Sequence, residues 1–192
     1  MIQKTPEQCI LNAQKSLSLA SSLFPFEEWV FKETNIWIAK SRLSQNKREL
    51  RKLAQEMAQV RILTSRGSTA YFLPESEEDI EPNKRYPDMV LDGEILEIKT
   101  VSGTIKTLGL EFKRGYKQGQ SLLIANAHMG YVAQGHSVFI HLLSNLKIEA
   151  VKAKIAGELK NRMDQGSFIC FFEDSNELYS WTYQELRSII GK

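Results

Sequence analysis

Between residues 46 and 64 apolar side chains recur at intervals of three and four: Leu50, Leu53, Met57, Val60 and Leu63. That spacing lines one face of an α-helix. Asn46 stands at the N-cap, Glu49 at the third helical position, and Gly67 beyond the last apolar residue, with Arg66 near the C-terminal end of the dipole. The period then changes. TAYFL (69–73) is β-rich and stops at Pro74. A loop rich in acid follows (Glu75, Glu77, Glu78, Asp79, Glu81) and is expected to be solvated. Residues 87–101 read as a hairpin around Asp92-Gly93, and Thr104 to Gln118 as a helix weakened by Gly109 and Gly115, at ~1 kcal/mol each relative to alanine.

SLLIA (121–125) and SVFIHLL (137–143) read as short buried strands, and 145–164 as a helix with Leu146, Val151, Ile155, Leu159 and Met163 on its apolar face. Gly166 ends that helix, FICFF (168–172) is a strand, and a last strand and short helix close the chain. Residues 6–40 read as helical with a break near Pro25; Trp29, Ile36 and Trp37 fit one stripe packed against the main domain. The sum is a mixed α/β domain, in which a tight turn joins two strands and rules out an all-parallel sheet. The expected division is an N-terminal helical extension over 1–45 and the main domain over 46–192.

Composition adds limits. The 192 residues, with 42% hydrophobic and 25% charged, match an ordinary globular chain rather than a disordered or fibrous one. Lysine and arginine (25) nearly balance aspartate and glutamate (23), so net charge does not mark a nucleic-acid binder, although local patches still create fields. Two distant cysteines, Cys9 and Cys170, exclude a disulfide scaffold or a cysteine-rich zinc module. Cys170 reads as a small buried hydrophobe. No run approaches the ~20 apolar residues of a membrane span, and MIQKTPEQCIL lacks the pattern of a secretion signal. The expectation is a soluble protein acting in the cytoplasm.

The chemistry concentrates in PDMVLDGEILEIKT (87–100). Asp-Gly between apolar runs signals a two-residue type I′ turn. Counting outward from Asp92-Gly93 sets Leu91 opposite Glu94, Val90 opposite Ile95, Met89 opposite Leu96 and Asp88 opposite Glu97, with Lys99 on the face of Glu97. Two carboxylates directly opposite repel, and a divalent cation would remove that penalty. Lys99 would offset phosphate charge or deprotonate a water if its pKa is depressed. The plain alternative is an exposed Glu97–Lys99 strand pair, with Asp88 merely following a proline. His128, His136 and His141, eight and five residues apart, do not resemble a zinc signature, and His141 reads as a hydrogen-bonded core residue. No P-loop, GxGxxG or GxSxG occurs.

Pro87-Asp88 followed by Glu97-Ile98-Lys99 resembles the signature of the PD-(D/E)xK nuclease superfamily. Within it, the chain is most similar to the tRNA-nuclease C-terminal domains of contact-dependent inhibition toxins. A helix with a glutamate, FLPE (72–75), PDMVLDGEILEIKT and a helix ending near YKQ (116–118) carry the likeness; it spans about 46–125, loosely 126–190, and leaves 1–45 unaccounted for. The resemblance implies a restriction-endonuclease-like core (helix, three-stranded antiparallel meander, helix, strand) and Mg²⁺ or Mn²⁺ held by Asp88, Glu97 and the Ile98 carbonyl. It makes Lys99 the catalytic lysine and Glu56 the helix glutamate, with Glu49 a competing match, and puts Gln118 beside substrate. The spacing from Asp88 to Glu97 is shorter than in the better-known restriction enzymes.

Substrate would rest on basic groups contacting phosphates. Seven lie between Arg42 and Arg66 (Arg42, Lys47, Arg48, Arg51, Lys52, Arg61, Arg66) against Glu49 and Glu56; read alone, this is a solvated helix face. A second cluster, Lys106, Lys113, Arg114 and Lys117, follows the ExK strand. By resemblance the substrate is tRNA, the partner an immunity protein covering the basic surface, and the chain a toxin domain delivered into target cells. A DNA endonuclease of the same fold and a catalytically silent α/β binding module are the alternatives.

Overall fold

The computed structural model describes residues 3–75, 87–127, 135–162 and 165–189, with the backbone alone for 122–127. The acidic residues Glu77, Glu78, Asp79 and Glu81, and also Tyr86, His128 and Met163, lie outside the described residues. In chain order the elements are α1 (Pro6–Leu23), β1 (Trp29–Glu33), β2 (Ile36–Ala39), α2 (Lys40–Leu43), α3 (Lys47–Thr64), β3 (Ala70–Phe72), β4 (Met89–Leu91) and β5 (Glu94–Val101). They continue with α4 (Ile105–Ala127), β6 (His136–Leu142), α5 (Ile148–Leu159), β7 (Ser167–Phe172), β8 (Glu177–Thr182) and α6 (Tyr183–Arg187). The eight strands form one mixed sheet in sequential order. Neighbours are antiparallel except for β2–β3, β5–β6 and β6–β7. Each parallel pair is bridged by a helix, since a parallel connection must return the chain to the same end of the sheet. No helix among the described residues is long and apolar enough to cross a membrane.

Alternation along the strands divides the core between two faces. On one face Ile36, Ile38, Ala70, Phe72, Met89, Leu91, Leu96 and Ile98 meet Leu53, Met57, Val60 and Leu63 of α3. On the other, Tyr71, Leu73, Val90 and Ile95 meet Ala20 and Leu23 of α1. Farther along that second face, Val101, Val138, Ile140, Leu142, Phe168 and Cys170 meet α4, α5 and α6. Each buried leucine or phenylalanine is worth about 1.5–3 kcal/mol of transfer free energy, so this patterning fixes which helix lies over which strands.

Two readings of the sequence are corrected. Residues 6–40 are not helical throughout: after α1 the chain forms the β1–β2 hairpin, turning at Asn35 with φ 62°. Trp29 and Trp37 pack inward, as expected, but from strands. Trp37 stacks on Tyr71 at 5.7 Å, and Trp29 meets Tyr71 edge-on at 5.4 Å. A short aromatic and β-branched run satisfies a helical stripe and a strand alternation equally, and pairing of β2 with β3 decides for the strand. The segment read as a helical extension thus supplies two strands of the sheet. SLLIA, in turn, belongs to α4 rather than to a strand. That run has one β-branched residue and three good helix formers, and the helix continues through Gly119 into it.

The Asp92-Gly93 turn has the expected form, with φ 54° and 86°. Its register is Leu91 with Glu94, Val90 with Ile95 and Met89 with Leu96. α1 holds the turn from outside. Ser16 Oγ accepts from the Gly93 N–H at 2.9 Å and donates to the Thr69 carbonyl at 3.3 Å, and Lys4 pairs with Asp92. A Cβ on Gly93 would stand 2.8 Å from Lys15 Cβ, so the position needs glycine for its φ and for the closeness of the helix.

Candidate active site

β4 is three residues long and β5 eight, so past Met89–Leu96 the β5 edge loses its strand partner. Asp88, just ahead of β4, fills part of that gap: its Oδ2 accepts the Ile98 N–H at 2.6 Å. In an antiparallel ladder the N–H and carbonyl of one residue leave the same edge, so the Ile98 carbonyl faces this notch as well. Asp88 lies two residues before Val90, and Glu97 and Lys99 follow Ile95 at even spacing, so all three belong to the face covered by α1 and α4.

Helix α4 closes the notch from above. Gly115 lies so close that an added Cβ would come within 3.1 Å of Glu97 Cγ and of Val138 Cγ1. Glu97 is consequently 1% exposed. Lys99 pairs with one oxygen of Glu97, Oε1, and donates to Gln118 Oε1 of α4 at 2.9 Å. The other oxygen, Glu97 Oε2, is buried without a hydrogen-bond partner among the described residues. A buried carboxylate oxygen left bare is costly unless something positive reaches it.

On the far side of Asp88 stands Glu56, which α3 carries from the opposite layer. Arg42, 2% exposed, joins these parts. Its guanidinium donates to Glu56 Oε2 at 2.5 Å, Glu75 Oε1 at 3.0 Å, the Asp88 carbonyl at 3.1 Å and the Leu73 carbonyl at 3.3 Å. Lys52 adds contacts at 3.0 Å to Glu75 and 3.7 Å to Glu56. Two sequence readings change here. Arg42 is a buried tie rather than surface charge, and Glu75 is half-buried and ion-paired rather than solvated. No local pattern announces Arg42, because its partners lie 14 to 46 residues away.

The electrostatics follow from burial and crowding. Desolvation, then the charge of Asp88, pushes the Glu97 carboxyl up to about 8. The same two causes push Glu56 up to about 7, with Arg42 and Lys52 opposing. Burial also raises Asp88, against the Ile98 N–H and Lys99. Glu75 goes the other way: burial resists ionisation, but Lys52 and Arg42 hold its carboxyl below the ordinary value. Glu56, Asp88 and Glu97 therefore form a chain of mutually repelling acids with Asp88 in the middle. Among the described residues no three side chains of the His, Cys, Asp and Glu types are already gathered as a metal cage. The bare Glu97 oxygen and the repulsion between the acids nevertheless fit a hard divalent cation. Asp88, Glu97 and the Ile98 carbonyl are the groups that would hold it.

The remaining sequence-predicted residues scatter. Lys113 is half-buried and paired with Glu158 of α5 at 2.8 Å; Arg114 pairs with Glu111 at 2.5 Å; Lys106 is exposed in the first turn of α4. Glu49, the competing helix glutamate, lies half-buried in the first turn of α3, beside Glu75. His141 is half-buried and bonds Glu173 at 2.5 Å through Nε2. Cys170 is buried, and burial raises its thiol pKa. The chain was compared with family models, with curated proteins and with solved structures, and none of them matches it.

Proposed function

We propose that the chain is a metal-dependent nuclease hydrolysing phosphodiester bonds, with Asp88, Glu97 and Lys99 at its centre. One observation carries the reading: Glu97, whose second oxygen is bare, shares a notch with Asp88 and with a lysine held by Gln118. The order α3, β3, β4, β5, α4, β6, with β3 to β5 an antiparallel meander, supports a restriction-endonuclease-like core. A bound Mg²⁺ or Mn²⁺ would polarise the phosphoryl oxygen and lower the pKa of a coordinated water.

The chain's own groups do the rest. Asp88 is aimed by the Ile98 N–H, and Glu97 is fixed by Gly115 above it and Lys99 beside it. If Glu97 held a cation, Lys99 would keep Gln118 as its anchor and could offer its ammonium to phosphate charge or to the attacking water. Glu56 acts at one remove through Asp88 and Arg42. The substrate we favour is tRNA and the role a growth-inhibiting toxin domain restrained by an immunity protein; both rest on the sequence resemblance. DNA cleavage by the same site is the runner-up.

One observation favours a catalytically silent module: Lys99 and Arg42 already neutralise Glu97 and Glu56 in place of a cation. Incubating purified protein and Mg²⁺ with tRNA and with plasmid separates these readings. Cleavage should stop in chelator, and Lys99→Ala should lower it by about 10²–10⁴-fold, the range for a missing general acid or base. Asp88→Ala should abolish it while the fold survives, since carboxylate repulsion falls. Cleavage that continues in chelator, or in both variants, would remove the metal site from consideration.

A further inference from the structure

The exposed side of α3 carries a shallow, open cleft of about 640 Å³ lined by Lys47, Arg48, Arg51, Lys52 and Gln55. Four of the five are cationic, in a chain whose net charge is +2. Among the described residues Lys47, Arg48 and Arg51 form no ion pair, and Lys52 alone is drawn to acids, at 3.0 Å from Glu75 and 3.7 Å from Glu56. The helix sets the spacing. Residues 47 and 51 form one row and 48, 52 and 56 another, with rungs about 5–6 Å apart. That is of the order of the distance between successive phosphates on one strand. The second row leads from the cleft to Glu56, and from there to the repelling acids.

We infer that this cleft is a phosphate-backbone subsite, holding a single nucleic-acid strand whose next segment reaches Asp88, Glu97 and Lys99. The inference deepens the nuclease reading, and rests on it only for the fate of the bound strand. Charge and shape choose the occupant. Arginine forks match phosphate oxygens in bidentate fashion, and Gln55 offers one neutral donor and acceptor for a sugar or base edge. A continuous anionic chain also spans cleft and notch together, with Lys52 at the join. Lys52 serves both places. A phosphate that engages it competes with Glu56 and Glu75, so occupation of the cleft loosens the ion pairs at the edge of the acid chain.

The test is fluorescence anisotropy with the full chain in chelator, using labelled single-stranded RNA and DNA of one sequence. The wild type should bind with strong salt dependence. The double variant Arg48→Ala/Arg51→Ala, which alters exposed side chains only, should bind roughly tenfold more weakly or worse. Its plot of log affinity against log salt should flatten by about 0.7 for every phosphate of a single strand that no longer meets a cation. Unchanged affinity and slope in the double variant would overturn the subsite, as would no binding by the wild type. Equal competition by polyglutamate of matched charge would also overturn it, by showing attraction without strand recognition. A wild type that binds through these arginines but never cleaves with Mg²⁺ would sink the nuclease reading and leave the subsite standing.

Discussion

Helix α4 presses two glycines onto two buried ionisable groups, and the groups are treated in opposite ways. Gly115 sits over Glu97, and four residues on Gly119 sits over His136, where an added Cβ would come within 2.7 Å of the ring. Around Glu97 the fold gathers charge: Asp88, Lys99 and, through Arg42, Glu56 and Glu75. Around His136 it gathers rings. Tyr116 lies 4.6 Å away and Tyr183 5.9 Å away, while Arg162 stacks over Tyr116 at 4.2 Å. Both His136 ring nitrogens and the Tyr116 hydroxyl lack hydrogen-bond partners among the described residues. Burial, then the charge of Arg162, lowers the His136 pKa to about 4. Burial leads at both sites and acts in opposite directions: it helps the acids keep their protons, with the charge of Asp88 adding to it, and it stops the histidine from taking one. A binding site is separated from a core by whether excess charge of one sign is tolerated, since burial is common to both.

The comparison breaks most readily at Arg42. Replacement by methionine would leave the buried Glu56 with only Lys52, at 3.7 Å and half-exposed, to offset its charge, and losing one partner of a buried pair costs about 3–5 kcal/mol. Urea denaturation should show that loss at pH 8 and a smaller one at pH 5, where Glu56 takes a proton instead. A loss that is small and independent of pH would mean that Arg42 is surface decoration.

The uneven legibility of the two regions has a physical cause. Asp88, Glu97 and Lys99 can be assembled from the sequence because turn chemistry at Asp92-Gly93 fixes a register by counting. α3 is equally readable, since its apolar period and its Asn46 cap, which accepts from the N–H groups of Arg48 and Glu49, are local. Arg42 and Glu75 escape such a reading because their partners come from separate elements. The β1–β2 hairpin escapes it because a short apolar run cannot choose its period without a neighbouring strand. Gly115 reads from the sequence only as a helix weakener, and Gly119 falls beyond the expected helix end at Gln118. In the fold they bring α4 close enough to bury Glu97 and His136.

Acidity should sharpen the contrast next. Glu97 binds its proton up to about pH 8 when folded, against an ordinary value of 4.5, and Glu56 up to about 7. The folded state therefore holds protons that the unfolded chain has released. Stability from this cluster is full below about pH 4.5 and drains away as pH rises toward 8, at up to about 1.4 kcal/mol per pH unit and per group. Glu97→Gln should flatten part of that fall in urea midpoints measured with chelator. Added Mg²⁺ should stabilise the wild type more at pH 8 than at pH 5, because ligands bind metal only when deprotonated. Parallel pH profiles for wild type and Glu97→Gln would contradict the repulsion between the acids.

The smallest effect is expected at His136, and its sign is reversed. As pH falls below about 6.5, the unfolded chain protonates this histidine while the folded one resists until about 4. Stability is untouched above that window and is lost on the way down through it. His136→Leu keeps the site apolar and close in volume, so at pH 7 the change should stay within about 1.5 kcal/mol. Because the ring's nitrogens have no partners to orphan among the described residues, the change there is as ready to stabilise as to destabilise. At pH 5 the variant should gain on the wild type, and the gain should grow toward pH 4. A variant that instead loses more at pH 5 than at pH 7 would show the buried imidazole to be charged and paired. The aromatic pocket would then be a second charged site, and the division between crowded acids and dry rings would fail.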